Sequence, residues 1–261
     1  MGFLECLNVC KRWKDVIRSE AYAFYKSSKM GRCGDWLFVF MEENDGSRYW
    51  KAYDPEVDRW HPIPPMPRTN ELIEFSCVSV HNKLLVIGGF NFCYHSCGKI
   101  SSTNQVLSFD PYRQEWSEVA CMSTGRASFA CSVICDKVYV GGGYRSAYKY
   151  NASMGYRRNY PALSSAEVYD PVKDRWDELP PMPKPRVCCF GVAYNSKFYL
   201  LSKSTCGDIM CVFSLHDKQW YSRPDVRKNP TYMKYDTLVI NDHLYTIVED
   251  SVQTVNIETG D

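Results

Sequence analysis

Two groups of residues in this 261-residue chain could do chemistry. The first is cationic and aromatic. The stretch YRSAYKYNASMGYRRNYPALS (144–164) carries Tyr144, Tyr148, Tyr150, Tyr156 and Tyr160 among Arg145, Lys149, Arg157 and Arg158. Arg126 and Arg186 each stand four residues after a methionine, Met122 and Met182. In the same register Met66 is followed by Asn70, with Arg68 nearby. Guanidinium groups grip carboxylates and phosphates through paired N–H donors. Tyr and Arg are enriched where protein surfaces bind most tightly. The pattern therefore points to capture of an acidic or phosphorylated protein segment by Arg126, Arg186, Tyr144, Arg145, Tyr148, Arg157 and Arg158. A competing reading makes Arg126 and Arg186 structural, bonding backbone carbonyls, and makes 144–164 a solvated insertion.

The second group is thiols and imidazoles. Thirteen cysteines are scattered through apolar segments, and no secretory signal precedes them, so free thiols in a reducing compartment are expected. That places the chain in the cytoplasm or nucleus. The tightest cluster, Cys93-Tyr94-His95-Ser96-Cys97, lacks a second ligand pair at zinc spacing. Cys188-Cys189 reads as alternation between the two faces of a strand. Gly141-Gly142-Gly143 leads into the Tyr/Arg stretch rather than into a helix, so it is no phosphate loop. There is no nucleophile elbow. No metal, cofactor or intrinsic catalysis is expected. The charges nearly cancel, 31 basic against 30 acidic, which gives no electrostatic ground for nucleic-acid or membrane binding. No apolar run approaches the ~18 residues of a spanning helix.

The elements that must position these residues show in an internal repeat. Tyr53-Asp54-Pro55 leads to Trp60, Phe109-Asp110-Pro111 to Trp116, and Tyr169-Asp170-Pro171 to Trp176. A degenerate copy, Phe213-Ser214-Leu215, leads to Trp220. Upstream, KLLVIGGF (83–90) matches KVYVGGGY (137–144). WLFVF (36–40), KFYLLSK (197–203) and HLYTIVE (243–249) are weaker copies. Each unit reads as four short strands, a to d, rich in β-branched and aromatic residues and bounded by turns. In the third unit these are FACSVI, KVYVGG, SAEVYD and RWDELP. The Asp-Pro turns strand c into strand d, since Pro fixes φ and Asp bonds the backbone beyond it. The glycines that end strand b (Gly88, Gly89, Gly142 and Gly143) allow positive φ and close backbone approach. Each Trp is expected near those glycines, bridging one unit to the next. The b–c and d–a connections of such a unit share one face. The two long b–c stretches, 90–104 and 144–164, therefore stand beside Arg126 and Arg186. Length of this kind in a compact domain marks function or disorder.

The diglycine, aromatic-Asp-Pro and Trp in this order resemble the kelch repeat, a β-propeller unit of ~50 residues. The resemblance covers about residues 34–261 and implies an all-β kelch propeller of four to five four-stranded blades. Their approximate bounds are 34–68, 72–122, 126–182, 187–224 and 234–261. The number is fewer than the six that kelch rings commonly have, and the last unit stops before its expected Trp. Some kelch propellers are copper oxidases, but His61, His81, His95, His216 and His243 follow no such ligand pattern. Residues 1–30 differ in period: Leu4, Leu7, Val9, Trp13, Val16 and Ile17 make an amphipathic helical pattern. Within it VCKRWKDVIRS (9–19) looks like the C-terminal half of an F-box. An F-box followed by kelch repeats resembles the plant F-box/kelch-repeat family. That resemblance implies a substrate-recognition subunit of an SCF-type ubiquitin ligase, with Leu4, Leu7, Val9 and Trp13 meeting a SKP-type adaptor and cullin, and the propeller holding a protein substrate. The first half of the F-box does not occur in the sequence. The alternative is therefore a stand-alone kelch scaffold, or a decoy that binds without recruiting the ligase.

Overall fold

The computed structural model describes residues 36–43, 46–55, 58–67, 72–91, 99–149, 156–157, 162–202, 209–224, 237–240, 242–248 and 251–259. The helical pattern of residues 1–30, with Leu4, Leu7, Val9 and Trp13, lies outside them. So do Arg68, Asn70, Cys93–Cys97, Tyr150, Arg158 and Tyr160. The described residues form strands and turns, without a helix.

The first sheet is three-stranded: β1 (Leu37–Glu42), β2 (Arg48–Asp54) and β3 (Arg59–Pro62). Next come β4 (Leu72–Ile73), β5 (Ser76–Val80), β6 (Lys83–Ile87), β7 (Phe90–Asn91), β8 (Lys99–Ser101), β9 (Val106–Asp110) and β10 (Glu115–Val119). The second sheet has the order β10-β9-β6-β5. Beyond it run β11 (Ala130–Ile134), β12 (Lys137–Gly141), β13 (Ser146–Lys149), β14 (Tyr156–Arg157), β15 (Ala166–Asp170) and β16 (Arg175–Leu179). The third sheet has the order β11-β12-β15-β16. The fourth is β17 (Cys189–Tyr194), β18 (Lys197–Ser202), β19 (Ile209–Ser214) and β20 (Gln219–Pro224). The fifth, three-stranded, is β21 (Thr237–Ile240), β22 (His243–Val248) and β23 (Ser251–Asn256). Five consecutive antiparallel meanders of this kind are the blades of a β-propeller. Three of them have the expected four strands; the first and last have three among the described residues. The chain falls into two compact units. One comprises residues 1–70, 82–84 and 108–117, and the other 71–81, 85–107 and 118–261.

Turn chemistry fixes the meanders. The a–b turns place His81 and Asn82, Cys135 and Asp136, and Asn195 and Ser196 all at φ between 46° and 59°. That is the handedness two-residue hairpins need to follow the strand twist. In the c–d turns the Asp carboxylate caps the backbone: Asp110 Oδ1 accepts from the Tyr112 and Arg113 N–H at 2.9 and 3.1 Å. Asp170 Oδ1 accepts from Val172 and Lys173 at 3.1 and 3.3 Å. A lysine at the start of strand b crosses to the same carboxylate, Lys137 Nζ to Asp170 at 3.0 Å and Lys83 Nζ to Asp110 at 4.0 Å. This partner holds the Asp170 carboxyl below the usual carboxylate range and lifts the Lys137 ammonium.

The repeated Trp does not pack near the glycines. It lies directly across from the motif's aromatic residue, Tyr53 from Trp60 and Tyr169 from Trp176, with ring centroids 5.1 Å apart. Its indole N–H instead reaches the end of the preceding repeat's strand d: Trp116 to Pro64 O at 2.9 Å, Trp176 to Ala120 O at 2.8 Å, and Trp220 to Pro180 O at 2.6 Å. The bridge between repeats is real, but a carbonyl that strand pairing leaves over receives it. The glycines serve a different neighbour. A Cβ on Gly88 would stand 2.5 Å from Arg126 O, and one on Gly142 2.9 Å from Arg186 O. Only glycine lets the next repeat's entering segment pass so close.

In the larger unit each apolar cluster lies between consecutive blades. Ile87 and Val106 join Phe129, Val138 and Tyr169. Ala130 and Tyr139 join Phe198, Leu200 and Phe213. Tyr199 and Leu201 join Leu244, Val255 and Ile257. Within this unit successive blades thus bury their faces against one another.

Candidate functional site

The b–c connections are not plain loops. β13 pairs with β8 (Ser146 with Ser101) and with β14 (Tyr148 with Arg157), making a three-stranded sheet from two successive long connections. At its base Ser102 N–H and Oγ both donate to Arg145 O, at 3.0 and 2.8 Å. Beside this seam lies a polar cavity of about 440 Å³ lined by Ser101, Ser102, Asn104, Gly125, Arg145 and Ser146. Asn104 is held by Nδ2–H donation to Met122 O at 2.8 Å. Arg145 is exposed and supplies the cavity's one charged side chain. A guanidinium on the wall of a hydroxyl- and amide-lined cleft can take a carboxylate while the hydroxyls take the backbone of the same segment.

The seven proposed binding residues do not all meet there. Arg126 is 0% exposed. Its Nη1 donates to Gly142 O (3.0 Å) and Ser165 O (3.1 Å), and its Nη2 to Ser165 Oγ (3.3 Å) and Glu167 Oε1 (2.5 Å). Glu167 also accepts from Ser123 N–H and Oγ–H, both at 2.7 Å, and from Thr124 N–H at 3.3 Å. Burial pulls the Arg126 guanidinium below its usual value, and the Glu167 carboxylate opposes the pull. Arg126 therefore ties the entry of one blade to strand c of the same blade and has no surface to offer a partner. Tyr144 leaves the binding set for the same reason. It is 7% exposed, packed with Phe90 and Ala127, and its hydroxyl meets Cys188 Sγ at 3.4 Å. Arg145 is on the cleft. Arg186 is half-buried, with Nη1 3.5 Å from Ser202 Oγ. Tyr148 and Arg157 face each other as backbone partners in the accessory sheet. Arg158 lies outside the described residues.

Three further points differ from expectation. Cys188 precedes its strand at φ 49°, so the Cys188-Cys189 pair straddles a turn rather than two strand faces. Asn70 is not the register mate of Arg126. A positive φ recurs at Glu74, Ser128 and Cys188, and Ile73 pairs with Phe90 as Ala127 does with Tyr144. That places Leu72 in register with Arg126 and Arg186. Glu167 was not singled out in the sequence; an acid near the start of strand c, where Leu107 stands in the preceding repeat, was the available signal. Among the described residues no three His, Cys, Asp or Glu side chains converge as a metal site would need.

Comparison with known proteins fits this geometry. The Kelch motif family model matches residues 73–123 and 125–183. The F-box/kelch-repeat protein At1g16250 of Arabidopsis thaliana is 39% identical over 281 aligned positions, covering all of this chain and 67% of the relative. The chain belongs to the F-box/kelch-repeat family. A second Arabidopsis thaliana member, F-box/kelch-repeat protein SKIP30, is 29% identical, over 75% of this chain and 53% of its own length. The chain thus spans two thirds of the first relative's length and about half of the second's. The solved structure of YjhT, 16% identical with a TM-score of 0.63 over 80% of this chain and 68% of its own, shares the fold. For an F-box/kelch-repeat chain, a blade scaffold with a polar, cationic cleft describes an interaction module.

Proposed function

We propose that this F-box/kelch-repeat protein is the substrate-recognition subunit of an SCF-type ubiquitin ligase. In this reading the kelch region, 34–261, captures a protein substrate, and residues 1–30 engage a SKP-type adaptor and its cullin through Leu4, Leu7, Val9 and Trp13. The observation that carries the capture role is the cleft beneath the accessory sheet, where exposed Arg145 stands among Ser101, Ser102, Asn104 and Ser146. The names of the relatives support the ligase role. No bond is made or broken by this chain; ubiquitin transfer belongs to the partner subunits. The complex would work in the cytoplasm or nucleus.

Arg145 gives the cleft a preference for carboxylate-bearing segments. The test is binding of the full chain to an array of acidic, neutral and basic peptides, beside Arg145→Glu. Selective retention of acidic peptides is expected, weakened roughly tenfold by the reversal, the size of one lost charged contact. Equal retention by both proteins would remove the cleft from the account.

A further inference from the structure

Leu72, Arg126 and Arg186 occupy one position in three successive repeats, each two residues before the positive-φ residue of its entering segment. The strand-c position that meets it also follows from pairing. Val140 lies opposite Glu167 in the third blade, and Leu200 lies opposite Cys211 in the fourth. Glu167 and Cys211 are thus register mates, and Leu107 is theirs in the second blade. The pairs are Leu72 with Leu107, Arg126 with Glu167, and Arg186 with Cys211. The first is apolar on both sides. The second is a closed ion pair. The third has a cation and no anion.

The backbone setting of the two arginines is the same. Arg126 O accepts from Gly89 N–H at 2.9 Å, and Arg186 O from Gly143 N–H at 2.8 Å. Arg126 Nη1 reaches Gly142 O; Arg186 Nη1 reaches the register mate of that glycine, Ser202, through its Oγ at a long 3.5 Å. Past this point they diverge. Arg126 has two hydroxyl or carbonyl contacts from Ser165 and the Glu167 carboxylate. Where Glu167 would stand, Arg186 has a buried thiol; the Nε of both arginines is buried without a hydrogen-bond partner, so the difference lies in the missing carboxylate. Among the described residues no carboxylate completes the Arg186 guanidinium, and a half-buried cation of this kind favours a charged partner.

We propose that Arg186 is an anion-binding site that takes a carboxylate or phosphate group from outside the chain, in the place that Glu167 fills at Arg126. The planar fork suits a two-oxygen group of either kind. The site uses neither Arg145 nor the residues assigned to ligase recruitment, so its phosphate arm does not depend on either.

The test is thermal unfolding of the full chain against increasing inorganic phosphate at constant ionic strength, with a hexaglutamate peptide as a second arm. Two variants accompany the native protein. Arg186→Leu copies the apolar register mate Leu72, and Cys211→Glu supplies an internal counter-ion. A ligand bound only by the folded state, at about a hundred times its Kd, raises the folded-to-unfolded ratio about a hundredfold. The native chain should show a rising melting temperature. Arg186→Leu should be flat to phosphate and keep at most the cleft's share of the response to the peptide, and Cys211→Glu should do the same from a higher starting point. Should Cys211→Glu fail to fold, Arg186→Leu decides alone. A response to phosphate only identifies the group as a phosphate, and a response to the peptide as well identifies an acidic protein segment. No response in the native chain to either probe, or an undiminished response in Arg186→Leu, overturns the proposal.

Discussion

Arg126 and Glu167 show how much one residue's meaning depends on its partner. The pair is almost wholly withdrawn from water, at 0% and 2% side-chain exposure, and every oxygen of the carboxylate is used. Desolvating both charges is expensive, so the pair adds little over a well-packed apolar pair, while removing one partner strands the other. Glu167→Ala should therefore cost about 3–5 kcal/mol in urea unfolding. The double change Arg126→Leu with Glu167→Leu, which copies the register of Leu72 and Leu107, should recover most of that loss. A double variant as unstable as the single would mean that the ion pair is not the source of the cost. The arginine was visible in the sequence as a repeated residue near the expected binding face. Its burial was not, because Glu167 lies 41 residues on and only the pairing of β12 with β15 brings it to the guanidinium. Tyr144 was misplaced for a similar reason: its tyrosine-rich neighbours suggested surface, but it follows Gly143 directly into the packed layer with Phe90 and Ala127.

At the scale of elements, the strands and their turns were legible because their signals are local. Alternation of apolar residues and the Asp-Pro motif fix strands c and d within a few residues. The accessory strands β8, β13 and β14 escaped, since Lys99–Ser101 and Ser146–Lys149 pair with each other across two repeats and Tyr156–Arg157 only adds two residues to that pairing. The Asp-Pro turn also makes a pH-dependent element. Asp170 caps its own turn and ties it to strand b through Lys137. Its folded-state pKa is depressed, chiefly by the Lys137 hydrogen bond. The contribution is then present above the unfolded carboxylate value of about 3.9 and lost as pH falls through the lower folded value. For Lys137, raised in the folded state, the same contact is present below about 10.4 and lost at more alkaline pH. Asp170→Asn keeps the capping oxygen and removes the charge. It should lower the melting temperature between about pH 5 and pH 9, with a deficit that shrinks as pH falls from about 3.9 through the lower folded value. A constant deficit across that range would show that the charge contributes nothing.

For the whole molecule, the repeat motif carries both the blade fold and the family, and both are shared with the Arabidopsis thaliana relatives. What the propeller holds is set by cleft chemistry and loop pairing, which no repeat consensus encodes. The central claim is that one chain couples capture to ligase recruitment. It is tested most directly by pull-down of a purified SKP-type adaptor and cullin with the 261-residue chain, beside a variant carrying Leu4→Ala, Leu7→Ala and Trp13→Ala. The account predicts retention of the adaptor by the native chain and its loss in the triple variant, with the melting temperature unchanged. No retention by the native chain, while acidic peptides still bind the cleft, would contradict it and leave a stand-alone kelch scaffold or decoy.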